Sequence, residues 1–230
     1  MVKIVSNMDT SQDRTFQKRA YNYIRERILS LEFKPNMALR MEALAAAIDV
    51  SRTPVREALS RLCEAGLVVR DGGWGYTVKP ITFKEAMDVY KVREALEVES
   101  VREALPRMNK KSLMQLRQCL VTASSRLKRG RKTEFRKCTR QFHQAIARAT
   151  DNSCLISMLM TIEDRIHLLG AMMADRSDRP QQSLAENYKL LAALEDKDEE
   201  AAVTAVRQHV TSAREIITHH LMTQGTGFSL

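Results

Sequence analysis

Apolar residues recur at helical spacing from Thr15 onward, with Ala20, Ile24, Ile28 and Leu31 on one face. Lys34-Pro35-Asn36 breaks that period. A second apolar helix is predicted over about Met41 to Ile48, carrying Leu44, Ala45 and Ile48, and Asp49-Val50 makes the turn after it. A third helix is predicted from about Arg52 to Ala65. Ser51 or Thr53 can cap it. Pro54 lies in its first turn, where a missing N–H leaves no intrahelical bond unmade, and Gly66 supplies the stop. Leu67-Val68-Val69 and Tyr76-Thr77-Val78 then read as two short strands joined by the turn Asp71-Gly72-Gly73-Trp74-Gly75. Trp74 reads as a cap on that hairpin in preference to a DNA contact.

Beyond Pro80-Ile81-Thr82 the chain reads as helix to about Thr223. Breaks are predicted near Pro106 to Asn109, Gly130, Thr150 to Asn152, Arg176 to Pro180, and Asp196 to Asp198. One apolar stripe is Val89, Val92 and Leu96; a longer one is Val203, Val206, Val210, Ala213 and Ile217. Such stripes need one another for burial, so an antiparallel bundle is expected. The predicted fold is mainly α. A flexible arm over 1–14 precedes a winged helix-turn-helix with a small β-hairpin wing over 15–80. An all-α antiparallel helical bundle follows over 83–223, with a frayed tail over 224–230.

Composition narrows this further. The 230 residues are 44% apolar and only 5% aromatic, with 8 Gly and 5 Pro, which suits helices joined by short connections. A net charge of +9 suits a polyanionic partner. Cys63, Cys119, Cys138 and Cys154 form no metal or disulfide spacing and are expected as buried small hydrophobes in a reducing compartment. No apolar run reaches membrane-spanning length, and no secretion signal opens the chain, so the expected location is the cytoplasm with no membrane partner. No HExxH, P-loop, GxGxxG or Ser-His-Asp order appears, so an enzyme is not expected, a metal-dependent enzyme using the His143 and His209 region being the distant alternative.

The third helix carries the sharpest functional signal. Val55, Ala58, Leu59 and Leu62 form one arc, and Arg52, Thr53, Arg56 and Ser60 a neighbouring one. The first arc suits a core and the second a DNA groove. A guanidinium fork matches O6 and N7 of guanine, and two arginines one turn apart reach adjacent base pairs. Ser51 and Thr53 hydroxyls suit phosphate, aided by the helix dipole, and Gly75 lets the wing backbone approach DNA closely. The alternative is a solvated helix face with two ordinary arginines. The basic run Arg126, Lys128, Arg129, Arg131 and Lys132 reads as a solvated corner.

These residues carry a family resemblance. Leu44-Ala45, Val50-Ser51-Arg52-Thr53-Pro54-Val55-Arg56-Glu57-Ala58-Leu59 and Glu64-Ala65-Gly66-Leu67-Val68 resemble the GntR family of bacterial transcription regulators. Val92-Arg93, Leu96-Glu97, Phe142-His143, Leu190-Leu191 and Val206-Arg207 with His209 resemble its FadR subfamily, whose helical effector domain is the FCD domain. The resemblance implies a homodimer that binds a short palindromic operator in double-stranded DNA and releases it when a small organic acid binds the bundle. Repression of a catabolic or transport operon is expected; activation, or a constitutive DNA-binding protein whose bundle only dimerises, is the alternative. The matching DNA-reading residues are Ser51, Arg52, Thr53, Arg56 and Gly75.

Many relatives of this kind hold a divalent metal through an Asp four residues before a His, a second His on a later helix and a third His on the last. Here His143 and His209 match two of those positions, while the others are Thr139 and Asn187. Such a set is weak for zinc or nickel. No cofactor is therefore expected, a divalent zinc or nickel ion on His143 and His209 being the alternative; the two histidines are read as polar pocket residues bonded to Thr139, Asn187 or the effector. His167 has no assigned place. Arg93 is either a carboxylate anchor or an ion-pair partner of Glu97, one turn along. Met158, Met160, Met172 and Met173 line a pocket or fill the core.

Overall fold

The computed structural model describes residues 7–73, 75–172 and 178–223. The chain separates into two compact units, Met1–Ile81 and Thr82–Leu230. The first contains α1 (Asn7–Leu29), α2 (Met41–Ile48), α3 (Arg52–Glu64), β1 (Val68–Arg70) and β2 (Tyr76–Val78). The second contains α4 (Phe83–Ala104), a 3₁₀ turn (Leu105–Arg107), α5 (Lys110–Lys128), α6 (Lys132–Ala149), α7 (Ser153–Met172), α8 (Arg179–Glu195) and α9 (Glu199–Thr223).

α1 begins at Asn7, inside the stretch expected as a flexible arm. No Gly or Pro interrupts the sequence there. The helix ends at Leu29, and Leu31, expected on its apolar face, instead sits beyond it with φ 62°. Trp74, Met173, Arg176 and the tail 224–230 lie outside the described residues.

The small unit packs Ala20, Ile24 and Ile28 of α1 against Leu44 and Ile48 of α2 and Val55, Ala58, Leu59 and Leu62 of α3. The tight α2–α3 turn depends on Asp49, which takes the left-handed conformation at φ 56° so that Val50 N–H bonds Ala45 O at 3.1 Å. Gly66, at φ 69°, ends α3 in the same way: Leu67 N–H returns to Leu62 O and Gly66 N–H to Cys63 O. The wing is an antiparallel pair with Val68 opposite Val78 and Arg70 opposite Tyr76. Residues before α2 add a further bridge, Ala38 to Thr77, so the hairpin is held on its other edge as well.

In the large unit a capping box starts α4: Thr82 Oγ1 accepts from Glu85 N–H, and the Glu85 carboxylate accepts from Thr82 N–H. Asn109 and Ser112 do the same for α5. α4 packs on α6, α7 and α9, α5 on α6 and α8, and α8 on α9. The core contains Val98, Val101, Leu116, Leu120, Phe142, Ile146, Leu190, Leu191, Leu194 and Val206.

One expected stripe is displaced. Val92 is 47% exposed and Leu96 only half-buried, while Arg93, Glu97 and Ser100 face inward beside Val89, Val98 and Val101. The inner face of α4 is polar because it walls a cavity. The cysteines also differ from expectation: Cys138 is buried, Cys63 and Cys119 are half-buried, and Cys154 is exposed at the start of α7.

Candidate nucleic-acid interface and effector cavity

α3 divides as its sequence spacing requires. Val55, Ala58, Leu59 and Leu62 have no exposed surface, and Ser51, Arg52, Thr53, Arg56 and Ser60 are all exposed. Ser51 precedes the helix with extended backbone and makes no side-chain capping bond, so its hydroxyl is not consumed by the helix end. Arg52 is not idle: Nη2 lies 2.5 Å from Glu42 Oε1 on α2. Gly75 is exposed in the wing, where Asp71 N–H bonds its carbonyl at 3.1 Å. A Cβ at Gly75 would stand 3.2 Å from Asp71 Oδ2, the atom that accepts the Thr77 hydroxyl. The glycine thus makes room for the carboxylate that braces the turn.

The bundle contains a cavity of about 200 Å³, partly open to solvent and walled by α4, α6, α7, the start of α8 and α9. Arg93, Thr139, His143 and His209 all line it, as does His167. Asn187 does not; it is fully buried, with neither Oδ1 nor Nδ2 hydrogen-bonded. Met160 lines the cavity, Met158 is exposed and Met172 half-buried. Among the cations of the basic corner, Lys132 reaches the lining, while Arg126 and Arg131 pair with Glu134.

Arg93 is ion-paired. Its Nε donates to Glu97 Oε1 at 2.6 Å, with both side chains buried. Glu97 Oε2 then lies 3.0 Å from His143 Nδ1, without the alignment of a full hydrogen bond. His209 Nδ1 bonds Glu186 Oε2 at 2.8 Å, and Arg179 reaches the same oxygen at 3.0 Å. The two imidazoles stack, with centroids 5.0 Å apart and planes inclined by 26°. Burial raises the Glu97 carboxyl, but Arg93, His143 and His209 outweigh it and hold the group well below the usual carboxylate range. Burial raises Glu186 too, and His209 and Arg179 bring it below its ordinary value. Burial pushes His209 down to about 4, overcoming the upward pull of Glu186. The ring is therefore neutral at pH 7.

Thr139 and Asn187, expected as partners of the histidines, make no such bonds. Thr139 Oγ1 donates to Arg136 O, and the histidines turn instead to Glu97 and Glu186. Glu186 and Arg179 were missed by the sequence reading. An acidic residue four before Leu190, on the face that buries Leu190 and Leu194, is the pattern that marks Glu186. The divalent ion implied by the resemblance does not fit this donor set. The Thr139 hydroxyl is turned to backbone and Asn187 lies off the cavity, so two of the four ligand positions supply no donor there. Among the described residues no three His, Cys, Asp or Glu side chains are placed to hold a metal.

An exposed, arginine-bearing recognition helix with a wing, in a chain whose helical domain has a mostly apolar cavity carrying a few charged and polar side chains, defines a ligand-responsive DNA-binding regulator. Comparison with known proteins supplies the family. Residues 16–78 match the bacterial regulatory proteins of the gntR family, and residues 88–212 match the FCD domain. The chain therefore belongs to the GntR family of transcription regulators, in its FadR-like, FCD-bearing branch, and is a DNA-binding transcription regulator and not an enzyme.

Its relatives include the HTH-type transcriptional regulator YdhC of Bacillus subtilis, 27% identical over 87% of this chain and 90% of YdhC. Another, from Paenarthrobacter nicotinovorans, is described as a probable D-xylose utilization operon transcriptional repressor; it is 25% identical over 76% of each chain. The fold matches that of E. coli McbR/YncC with a TM-score of 0.80 at 21% identity, over 89% of this chain and 98% of that one. No helix among the described residues is long and apolar enough to cross a membrane.

Proposed function

We propose that this regulator represses a catabolic or transport operon, binds a palindromic operator as a homodimer, and leaves it when a small organic acid fills the bundle cavity. Residues 15–80 supply the DNA head, and 83–223 the effector-binding and dimerising domain. Arg52, Thr53 and Arg56 read bases, Ser51 holds the backbone and Gly75 sits at the wing tip. Arg93, Thr139, His143 and His209 form the effector cavity, with Asn187 behind it.

The observation that carries the effector reading is the charge of the cavity lining. Six arginine and lysine side chains line the cavity; Arg93, Arg140 and Arg179 are ion-paired with Glu97, Glu163 and Glu186, and Lys132, Arg136 and Arg148 add further positive charge. A cavity so lined attracts an anion. A bundle that only dimerised would have a solid apolar core here. The repressor role of the xylose-operon relative points the same way. An acid that prefers the non-binding arrangement of the two heads weakens DNA affinity by its differential affinity for that arrangement.

The test is fluorescence anisotropy with DNA from upstream of this gene and its neighbours, titrated with organic acids that the neighbouring genes transport or degrade. Binding of one dimer across two half-sites about one helical turn apart, reversed by one of the acids, is expected. Failure to bind any of these fragments overturns the regulator reading; binding insensitive to every acid overturns the effector reading.

A further inference from the structure

Positive charge is not spread evenly over the chain. Residues 105–150 hold thirteen lysine and arginine side chains against one acid, Glu134, while the rest of the chain carries slightly more acid than base. The net charge of +9 therefore comes from the α5–α6 hairpin and the few residues that lead into it. Neighbouring helices neutralise part of it. Arg117 pairs with Glu195 on α8, and Arg140 with Glu163 and Asp164 on α7. At the tip of the hairpin Glu134 takes both Arg126 and Arg131. Lys128, Arg129 and Lys137 are exposed there and make no ion pair among the described residues.

The fold does not call for this charge. Lys128 and Arg129 close α5, where the negative end of the helix dipole favours cations, but Arg131 and Lys132 open α6 at its positive end, where cations are unfavourable. Like charges crowded on one turn also repel. The turn is held in place nonetheless. Gly130 takes φ 71°, and Arg131 N–H returns to Arg126 O and Gly130 N–H to Leu127 O, each at 2.9 Å. A fixed knob of mutually repelling cations gains from a polyanion that cancels the repulsion.

The surroundings select which polyanion. No large hydrophobic side chain is exposed among residues 122–137, so the tip lacks the apolar anchor that carries most protein–protein binding or enters a bilayer. Phe135 is buried, so no aromatic face is offered to a single-stranded base. Duplex phosphates need neither. The chain is a DNA-binding regulator, so duplex DNA is the polyanion present where it works. We infer that the tip of the α5–α6 hairpin is a second DNA-contacting surface, apart from the recognition helix, and that Lys128, Arg129 and Lys137 hold duplex phosphates there without reading sequence. The phosphates belong either to DNA flanking the bound site or to another duplex.

The experiment is fluorescence anisotropy of the full-length protein with duplexes of unrelated sequence, about 20 and about 60 base pairs long, over about 0.05 to 0.3 M salt. Lys128→Gln/Arg129→Gln/Lys137→Gln should flatten the slope of log affinity against log salt by about 2 to 3, and weaken binding about tenfold or more at about 0.1 M salt. Lys110→Gln/Lys111→Gln/Lys189→Gln is the control. It removes as much charge from exposed positions, and Lys110 lies about 27 Å along α5 from Lys128. Its affinity and slope should stay within about twofold of the native values, since charges so far apart are screened. Circular dichroism verifies that both variants are folded. In the native protein, duplex should shield Lys128 and Lys137 from acetylation, read by mass spectrometry, and leave Lys110 and Lys111 reactive.

A loss confined to the longer duplex places the phosphates in flanking DNA. A loss on both lengths, together with lost energy transfer between donor- and acceptor-labelled duplexes, places them on a second duplex. A tip variant with the native slope, or one no different from the control, overturns the inference. So does full acetylation of Lys128 and Lys137 in the complex. Polyglutamate that shields these two lysines while duplex does not assigns the tip to an acidic protein and overturns the inference as well.

Discussion

Arg93 Nε and Glu97 Oε1 meet at 2.6 Å one turn apart on α4, and both side chains are buried. A pair out of water survives because each charge compensates the other. Removing one partner leaves the survivor uncompensated, whereas removing both does not. Arg93→Leu or Glu97→Leu alone should therefore cost about 3–5 kcal/mol of unfolding free energy. The double variant Arg93→Leu/Glu97→Leu should recover much of the loss. Urea denaturation of the four proteins measures this; losses that simply add would show that the two groups are not coupled.

His209 gives the bundle an acid-sensitive element. Its native pKa of about 4 lies below the ordinary 6.5. Between those values the unfolded chain binds a proton that the native ring refuses, so stability falls as pH drops from 6.5 toward 4. The difference amounts to about 3 kcal/mol when the window has been crossed. Glu97 and Glu186, both held below their ordinary values, add their own loss only as pH falls from 4.5 into their native range. Urea midpoints measured from pH 7 down to pH 4.5 should decline for the native protein and flatten in His209→Gln. An unchanged slope in the variant would assign the acid sensitivity to other groups.

The same face of α4 shows where sequence legibility ends. The DNA head was readable because its signals are local: Pro54 in a first turn, Gly66 at a stop, aliphatic residues at helical spacing in α3. Breaks at Gly130 and Asp196 to Asp198 were readable for the same reason. The cavity wall was not. A stripe drawn through Val89, Val92 and Leu96 assumes that apolar side chains point inward, yet α4 turns Arg93, Glu97 and Ser100 inside and leaves Val92 outside. A residue far away in the chain, His143 beside Glu97, makes that reversal tolerable. The Ala38 to Thr77 bridge is likewise a long-range pairing with no local sequence signal.

If Arg52 reads bases as proposed, Glu42 competes with DNA for it. The pair is surface-exposed, at 65% and 64%, so breaking it should change stability by no more than about 0.5 kcal/mol. Its effect on DNA is larger, because Glu42→Gln frees a guanidinium and removes a negative charge beside the recognition helix. Affinity for operator and for unrelated duplex should both rise, with a steeper dependence on salt. Anisotropy titrations at several salt concentrations test this, and unchanged affinity would mean that Arg52 does not face the groove.

Variants at Arg56, proposed as a base-reading residue, can separate base reading from charge. It projects from the exposed face of α3, one turn after Arg52, with Val55 and Leu59 buried behind it. Arg56→Ala should leave folding intact, since the helix core is untouched, and cost about 1–3 kcal/mol of operator binding while relaxing choice at one base pair. Arg56→Lys sharpens the reading. Lysine keeps the positive charge but not the two-pronged fork, so affinity for unrelated DNA should persist while operator preference falls. If both variants lost specific and unspecific binding in equal measure, Arg56 would be a phosphate contact. Base reading would then pass to Arg52 and Thr53.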